Sequence, residues 1–238
     1  MVSSLFPLAL HEVSVRRKGR TILGPVTYQL DAGGVTVLLG PNGSGKTTFL
    51  RSIHGIERLS GGAVKWAVDP KTAQERQAYV FQTPIMLRRS VADNLRYPLT
   101  LAHTPRPQVE ALVSKWLDQT GLAALAQTQA TRLSGGERQK LALARALVRA
   151  PEVLFLDEPC ANLDGQSTRE IEVLLAEARK DGTAIIMATH DLGQARRLAT
   201  DIIFMLSGRV HEHGPARQLL SQPETPELES FLRGDIVI

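Results

Sequence analysis

The first group of residues that could carry out chemistry surrounds a lysine after a glycine-rich turn. Its sequence is Gly40-Pro41-Asn42-Gly43-Ser44-Gly45-Lys46-Thr47-Thr48. Glycines let the backbone turn tightly, so that successive N–H groups point inward at an anion. In such a turn Lys46 is expected to reach the β- and γ-phosphates of a nucleotide, and the Thr47 hydroxyl to coordinate Mg²⁺. A plain glycine-rich turn with a solvated lysine is the alternative. The pattern favours a nucleoside-triphosphate site, here called the phosphate loop (residues 40–48).

Two adjacent carboxylates, Asp157 and Glu158, end an apolar run at residues 153–156. The C-terminal ends of parallel strands face the ligand crevice of an α/β sheet. Asp157 is therefore expected near Mg²⁺, and Glu158 is a candidate to polarise the water that attacks the γ-phosphate. Solvated acids at a strand end are the ordinary alternative, which the phosphate loop in the same chain disfavours.

A second pair of glycines lies in Leu133-Ser134-Gly135-Gly136-Glu137-Arg138-Gln139, here called the signature segment. Ser134 is a natural N-cap, and Glu137 three residues on completes a capping box. Two glycines at a helix N-terminus also form a second phosphate-binding surface. One nucleotide needs only one such surface. The second therefore predicts a partner's nucleotide and a dimer.

The elements that must position these residues alternate along the chain. Strands are predicted at the apolar runs 35–39, 78–81, 153–156, 184–188 and 202–205, the last being taken as the final core strand. Helical spacing of apolar residues lies between them, and a short helix is expected around 228–232. Residues 8–30 predict short β-segments, with turns at Gly19, Gly24 and Pro25. The pattern is typical of a mostly parallel sheet covered on both faces.

Residues 83–150 differ, because strand-like runs vanish there. Helical spacing places Val109, Val113 and Trp116 on one face, and a second helix is expected to begin near Gly135 and stop before Pro151. Three prolines are expected to break the stretch before the first of these helices: Pro98, Pro105 and Pro107. The sequence thus predicts an α/β core at 1–82 and 151–238, with a helical subdomain inserted at 83–150.

Bulk composition adds exclusions. The 238 residues carry 28 basic and 24 acidic side chains, a net charge of +4 that does not favour nucleic acid as a partner. No apolar run approaches the roughly 18 residues of a membrane span, and residues 1–7 lack the features of a secretion signal. The single cysteine, Cys160, excludes an internal disulfide and is expected to pack as a small buried residue.

Six motifs together resemble those of ATP-binding-cassette ATPases in order and spacing: residues 40–48, Gln82, 133–139, 153–159, Asn162-Leu163-Asp164 and Thr189-His190-Asp191. The resemblance covers nearly the whole chain. It implies a P-loop NTPase core, RecA-like with a small antiparallel β-subdomain, and a signature-bearing helical subdomain. It also implies an ATPase that uses ATP and Mg²⁺ and works as a head-to-tail homodimer.

The resemblance assigns expected roles. Each ATP would lie between Lys46 of one subunit and Ser134, Gly135 and Gly136 of the other. Gln82 would sense Mg²⁺ and the attacking water, His190 would contact the γ-phosphate, and Asp164 would communicate across the interface. A solvated loop glutamine and a capping histidine are the ordinary alternatives for Gln82 and His190.

Two positions depart from the family's pattern. Arg17 stands where an aromatic side chain usually stacks on adenine; a guanidinium can also stack, and a solvated basic turn is the alternative. Cys160 stands where threonine or serine is usual. Because an arginine replaces the aromatic residue, Arg17 is expected to bind adenine less selectively if it stacks there.

Finer features resemble the ATPase subunits of tungstate-type oxyanion importers: residues 86–91, 189–199 and 231–234. The resemblance implies a separate membrane permease docked near 83–91, an extracytoplasmic binding protein, and a place at the cytoplasmic face of the membrane. Phosphate or molybdate import, or another ABC transporter, is the alternative. ATPases acting on chromosomes or ribosomes are disfavoured, since the chain has one motif set and no long heptad-repeat arm between Lys46 and Ser134.

Overall fold

The computed structural model describes residues 4–235. Residues 1–3 of the N-terminal segment that is expected to lack a secretion signal are therefore outside the described range. Nine strands are present in this range: β1 (Leu8–Arg17), β2 (Arg20–Leu30), β3 (Val35–Leu39), β4 (Gly61–Lys65), β5 (Gln77–Val80), β6 (Val153–Asp157), β7 (Ala184–Ala188), β8 (Asp201–Leu206) and β9 (Arg209–Pro215). They form an antiparallel sheet, β2-β1-β4, and a six-stranded sheet, β5-β6-β7-β3-β8-β9. The larger sheet is parallel except where β9 pairs with β8.

Nine α-helices lie in the same described range: α1 (Lys46–His54), α2 (Pro70–Glu75), α3 (Val91–Leu101), α4 (Arg106–Gln119), α5 (Gly135–Leu147), α6 (Gly165–Lys180), α7 (Leu192–Leu198), α8 (Ala216–Ser221) and α9 (Pro226–Arg233). Within residues 4–235, no helix has both the length and the apolar character that a bilayer crossing needs.

The six-stranded sheet separates two apolar clusters. Strands β3, β6 and β7 are buried along their whole length, which explains their continuous apolar sequence. Phe49 and Leu50 of α1 pack on one face together with the antiparallel sheet. Ile171 and Leu175 of α6 pack on the other face. The predicted α/β fold with helices on both faces is confirmed.

A third cluster forms the core of a helical subdomain made by α3, α4 and one face of α5, and it includes Leu95, Val113 and Leu141. Pro98 lies inside α3, so the expectation that it breaks the chain is wrong. Val91, Leu95 and Leu99 fall four residues apart on the buried face of α3. Their burial outweighs the one backbone hydrogen bond that a proline removes.

Two other elements differ from expectation. Gly24 and Pro25 lie within β2 rather than in a turn. Gly24 has a φ of 91°, and a Cβ there would come within 2.0 Å of the Val13 carbonyl oxygen, so this irregular strand position requires glycine. The run 202–205 is not the last strand, because β9 follows it; β9 is a half-exposed edge with polar residues and gives no apolar run. The helix expected around 228–232 is confirmed as α9.

Candidate functional site

The phosphate loop joins buried β3 to α1 at the edge of the six-stranded sheet. Gly40 has a φ of 148°, and a Cβ on it would approach the Met205 carbonyl oxygen to 2.2 Å. Gly45 has a φ of 100°, immediately before the first residue of α1. Both positions therefore accept only glycine, which is the physical reason for the glycine pattern in the sequence.

Lys46 is only 5% exposed, and its ammonium donates to the carbonyl oxygens of Gly40 (2.8 Å) and Pro41 (2.9 Å). Burial lowers the pKa of Lys46, while Glu158 and Asp157 act in the opposite direction. The buried hydroxyl of Ser44 has no hydrogen-bond partner among the described residues. A buried cation and a buried free hydroxyl beside inward-turned backbone suit a phosphate chain.

Asp157 ends β6 with 1% of its surface exposed. Its Oδ1 accepts a hydrogen bond from the Thr47 hydroxyl at 2.8 Å, which joins the phosphate loop directly to the carboxylate. A hydroxyl and a carboxylate are oxygen ligands of the kind that Mg²⁺ takes beside phosphate groups. The donor set present therefore fits Mg²⁺.

Glu158 is the point at which three sequence-predicted residues meet. Its Oε2 accepts from the Gln82 amide at 2.9 Å, and its Oε1 lies 3.2 Å from Nδ1 of His190. Its φ is 48°, in the left-handed region, and its N–H donates to the Ala188 carbonyl oxygen at 2.9 Å. A strained backbone conformation that its surroundings hold in place is common at functional sites, and here it orients the Glu158 side chain.

The signature segment is folded as a capping box. The Ser134 hydroxyl accepts from the Glu137 N–H, and the Glu137 carboxylate accepts from the Ser134 N–H at 2.8 Å. A Cβ on Gly136 would lie 2.4 Å from the Ser167 hydroxyl, so this glycine allows α5 to pack closely on the start of α6. Asp164 caps α6 by accepting from the Ser167 N–H at 2.8 Å.

Ser134 and the two glycines therefore lie beside Asp164 but are separate from the phosphate loop. Among residues 4–235, no hydrogen bond joins the signature segment to residues 40–48. The fold thus brings together Lys46, Thr47, Asp157, Glu158, Gln82 and His190 in one place. The signature segment, which the sequence predicts to be a second phosphate-binding surface, lies elsewhere on the same chain.

The two departures from the family's pattern have definite surroundings. Arg17 is exposed at the end of β1 and pairs with Glu57 Oε2 at 2.5 Å. Cys160 is partly buried against the core, and burial raises the pKa of its thiol to about 11. The expectation that Cys160 packs as a small buried residue is met only in part, because its side chain contacts the core but is only partly buried.

Sequence reasoning missed two groups of residues around the site. Tyr79 and Arg51 lie beside Asp157, with the Tyr79 hydroxyl 3.3 Å and Arg51 Nη2 4.0 Å from Oδ2. Arg145 of α5 donates to the Ile85 carbonyl oxygen at 2.8 Å and to the Asn94 side chain at 3.2 Å, and so ties the loop after Gln82 to the signature helix. Tyr79 could have been found from its place two residues before the end of the strand predicted at 78–81.

The fold and site define a nucleoside-triphosphate-binding protein of the P-loop class. The sequence profile of the family described as ABC transporter matches residues 23–161. The chain belongs to this family. It is an ATP-hydrolysing subunit of the ABC type, and the family binds ATP with Mg²⁺.

Three similar proteins illustrate the relationship. The chain is 35% identical to the phosphate import ATP-binding protein PstB 2 of Natronomonas pharaonis, over 97% of this chain and 87% of that protein. It is 39% identical to the tungstate uptake system ATP-binding protein TupC of Peptoclostridium acidaminophilum, over 82% of this chain and 92% of that protein. The solved structure of cbiO1 from Clostridium perfringens, part of the ABC transporter complex cbiONQ, covers 91% of each chain at 30% identity, with a TM-score of 0.81.

Proposed function

We propose that this chain powers an ABC importer by hydrolysing ATP in a head-to-tail homodimer. The observation that carries the proposal is the arrangement around Glu158. Its carboxylate is gripped by Gln82 and His190, next to the Thr47–Asp157 pair of the phosphate loop. A base, a polar side chain and a metal-binding pair at one sheet edge match the needs of phosphoryl transfer to water.

The phosphate loop binds the β- and γ-phosphates through its N–H groups and Lys46. Thr47, Asp157 and Gln82 would hold Mg²⁺, which when bound would neutralise charge on the phosphate oxygens. Glu158 orients the attacking water and accepts its proton. The water oxygen bonds to the γ-phosphorus as the bond to the bridging oxygen breaks, and ADP and inorganic phosphate leave. His190 contacts the γ-phosphate, and Arg17 leaves Glu57 to stack on adenine.

The second half of each pocket comes from the partner copy. Ser134 and Gly135 are exposed, and the first N–H groups of α5 lie at its positive dipole end. These groups would contact the γ-phosphate held by Lys46 of the other subunit. Asp164, packed beside them, would carry contacts across the same interface.

The membrane partner is proposed to dock on the loop after Gln82. Ile85 is 73% exposed there and Phe81 is also exposed, beside Arg88 and Arg89. Exposed apolar side chains next to arginines suit a protein contact. The partner would be a permease that receives cargo from an extracytoplasmic binding protein, which places this chain at the cytoplasmic face of the membrane.

The cargo is proposed to be tungstate or a related oxyanion. The name of the tungstate relative supports this choice, and the phosphate relative supports the near alternative. The test is ATPase activity of the chain with its permease and binding protein in vesicles, titrated with tungstate, molybdate, phosphate and sulfate. Stimulation by tungstate at the lowest concentration is expected. Stimulation by phosphate alone would replace the cargo, and no stimulation by any oxyanion would remove the oxyanion class.

A further inference from the structure

One contact of Asp157 has no place in the roles above. The hydroxyl of Tyr79, on β5, lies 3.3 Å from Oδ2 of Asp157, at the end of the neighbouring strand β6. The other carboxylate oxygen, Oδ1, accepts from Thr47. Because this carboxylate is almost fully buried, its two oxygens depend on protein donors to fix their orientation.

The Tyr79 hydroxyl is held in place from several sides. Its ring stacks on Phe155 at a centroid distance of 6.3 Å and meets the His54 ring edge-on at 5.3 Å. The guanidinium of Arg51 lies beside the contact between Tyr79 and Asp157, with its Nη2 4.0 Å from the same Asp157 oxygen. The hydroxyl is the donor in this contact, because an ionised carboxylate oxygen can only accept a hydrogen bond. The ring can hardly turn without disturbing the core behind the site.

We propose that Tyr79, supported by Arg51, is a positioning residue for Asp157: it holds Oδ2 so that Oδ1 stays directed at Thr47 and the metal position. The inference rests on the Mg²⁺ role proposed for Thr47 and Asp157. Partners of metal-binding carboxylates typically account for about 10- to 100-fold in metal affinity or activity. Since 3.3 Å is a long O–H···O contact, an effect at or below the lower end is expected, about 3- to 10-fold.

The test is Tyr79→Phe, which removes the hydroxyl and keeps the ring. Mn²⁺, used as a spectroscopic stand-in for Mg²⁺, is titrated into the full chain with a non-hydrolysable ATP analogue, and the analogue's affinity is measured separately in EDTA. The dissociation constant for Mn²⁺ is expected to rise about 3- to 10-fold, while the affinity in EDTA and the melting temperature stay unchanged. The matched control is Tyr97→Phe, at an exposed tyrosine beside Arg89. It should leave both the Mn²⁺ dissociation constant and the analogue's affinity in EDTA unchanged.

An unchanged Mn²⁺ affinity in Tyr79→Phe overturns the inference, and so does an equal loss of affinity with and without metal. Arg51→Lys is the second variant, which keeps the charge but not the planar fork. It should weaken Mn²⁺ binding in the same direction and by less, and it decides the matter if Tyr79→Phe does not fold. If the wild-type chain binds the analogue equally with and without Mn²⁺, the metal role of Thr47 and Asp157 fails instead.

Discussion

The phosphate loop and the signature segment differ in how completely each is formed and buried within a single chain. At the phosphate loop, Lys46 and Asp157 are almost fully buried and are fixed by backbone carbonyls and by Thr47. At the signature segment, Ser134 is exposed and its polar atoms are satisfied by Glu137 within the same turn. The first turn is a preformed pocket, whereas the second is a complete helix cap, which in the proposed mechanism contacts a nucleotide only across the subunit interface.

The surroundings of the two turns explain this difference. The phosphate loop leaves a strand whose two faces are packed in separate apolar clusters, so its backbone is fixed from both sides. The signature segment starts a helix that contributes one face, with Leu141 and Ala144, to the third cluster and another, with Leu143, to the main core. Met86 and Trp116 contact both that cluster and the main core. In the proposed dimer, catalysis would require the phosphate loop of one subunit to meet the signature segment of the other.

Glu158→Gln tests the preformed half most directly. Turnover should fall by about 10²- to 10⁴-fold, because a general base is lost from a pocket that still binds nucleotide. ATP binding should persist, and a dimer should accumulate under ATP. Phosphate release and size-exclusion chromatography with light scattering give the two readouts.

Glu110→Gln is the matched control, since Glu110 is an exposed carboxylate of the helical subdomain that pairs with Arg96. It should leave turnover at the wild-type level. Wild-type turnover in Glu158→Gln would mean that another group is the base. A monomer under ATP, even with the permease present, would remove the dimer from the mechanism.

Ser134→Arg tests the half that needs a partner. A bulky cation at the cap should block the approach of the second subunit and lower turnover by about 10²- to 10³-fold, comparable to the loss of a transition-state donor. Binding of ATP to the single subunit should not change, because the signature segment shares no hydrogen bond with the phosphate loop among the described residues. A loss of that binding, measured by calorimetry at low protein concentration, would contradict the two-subunit pocket. Arg132→Ala, just before the segment, serves as the control.

The sequence predicted the preformed half well because its constraints are local. Gly40, Gly45 and Lys46 are required by one turn, and the apolar strand before Asp157 shows burial on both faces. These signals do not depend on what lies far away in the chain. The capping box of Ser134 and Glu137 was predictable for the same reason.

The sequence could not predict contacts made between distant elements. Tyr79 reaches Asp157 only because β5 pairs with β6, and nothing local marks that pairing. Arg145 supports the loop after Gln82 from a helix sixty residues further on. The expectation for Pro98 was wrong because local chemistry disfavours proline in a helix, while the burial of Val91 and Leu95 on α3 decides the outcome.

Asn94 shows how the helical subdomain is tied to the active-site loop. It is fully buried, and its side chain bonds the carbonyl oxygens of Leu87 and Ser90 and accepts from the Leu87 N–H. Asn94→Ala should leave these groups unpaired and lower the free energy of unfolding by about 2–3 kcal/mol. Urea titration followed by Trp116 fluorescence in a Trp66→Phe background reports on this subdomain.

Thr100→Ala, an exposed position on the same helix, should shift that titration little. If the subdomain is a separately stabilised region, the reciprocal background with Trp66 alone should show a smaller loss at low urea than the Trp116 signal. Coincident transitions from both tryptophans would instead show that the two regions unfold as one unit.

The smallest expected effect is on the pH dependence of stability, and it comes from His54, which lies in the core behind the phosphate loop. Its ring lies between those of Tyr79 and Phe155, each 5.3 Å away, and its Nδ1 has no hydrogen-bond partner among the described residues. Burial lowers the pKa of His54 to about 4, so the folded chain holds this ring neutral while the unfolded chain protonates it near pH 6.5. The unfolded state then binds more protons, and stability falls as the pH drops from about 6.5 towards 4.

In His54→Phe this part of the pH dependence, about 1–2 kcal/mol after allowance for partial exposure, should be missing. The control His11→Gln, at an exposed position of β1, should retain it. The same slope in His54→Phe as in the wild type, measured by urea titration at pH 6.5 and pH 4.5, would show that the ring is solvated and that this region is less tightly packed than the phosphate loop requires.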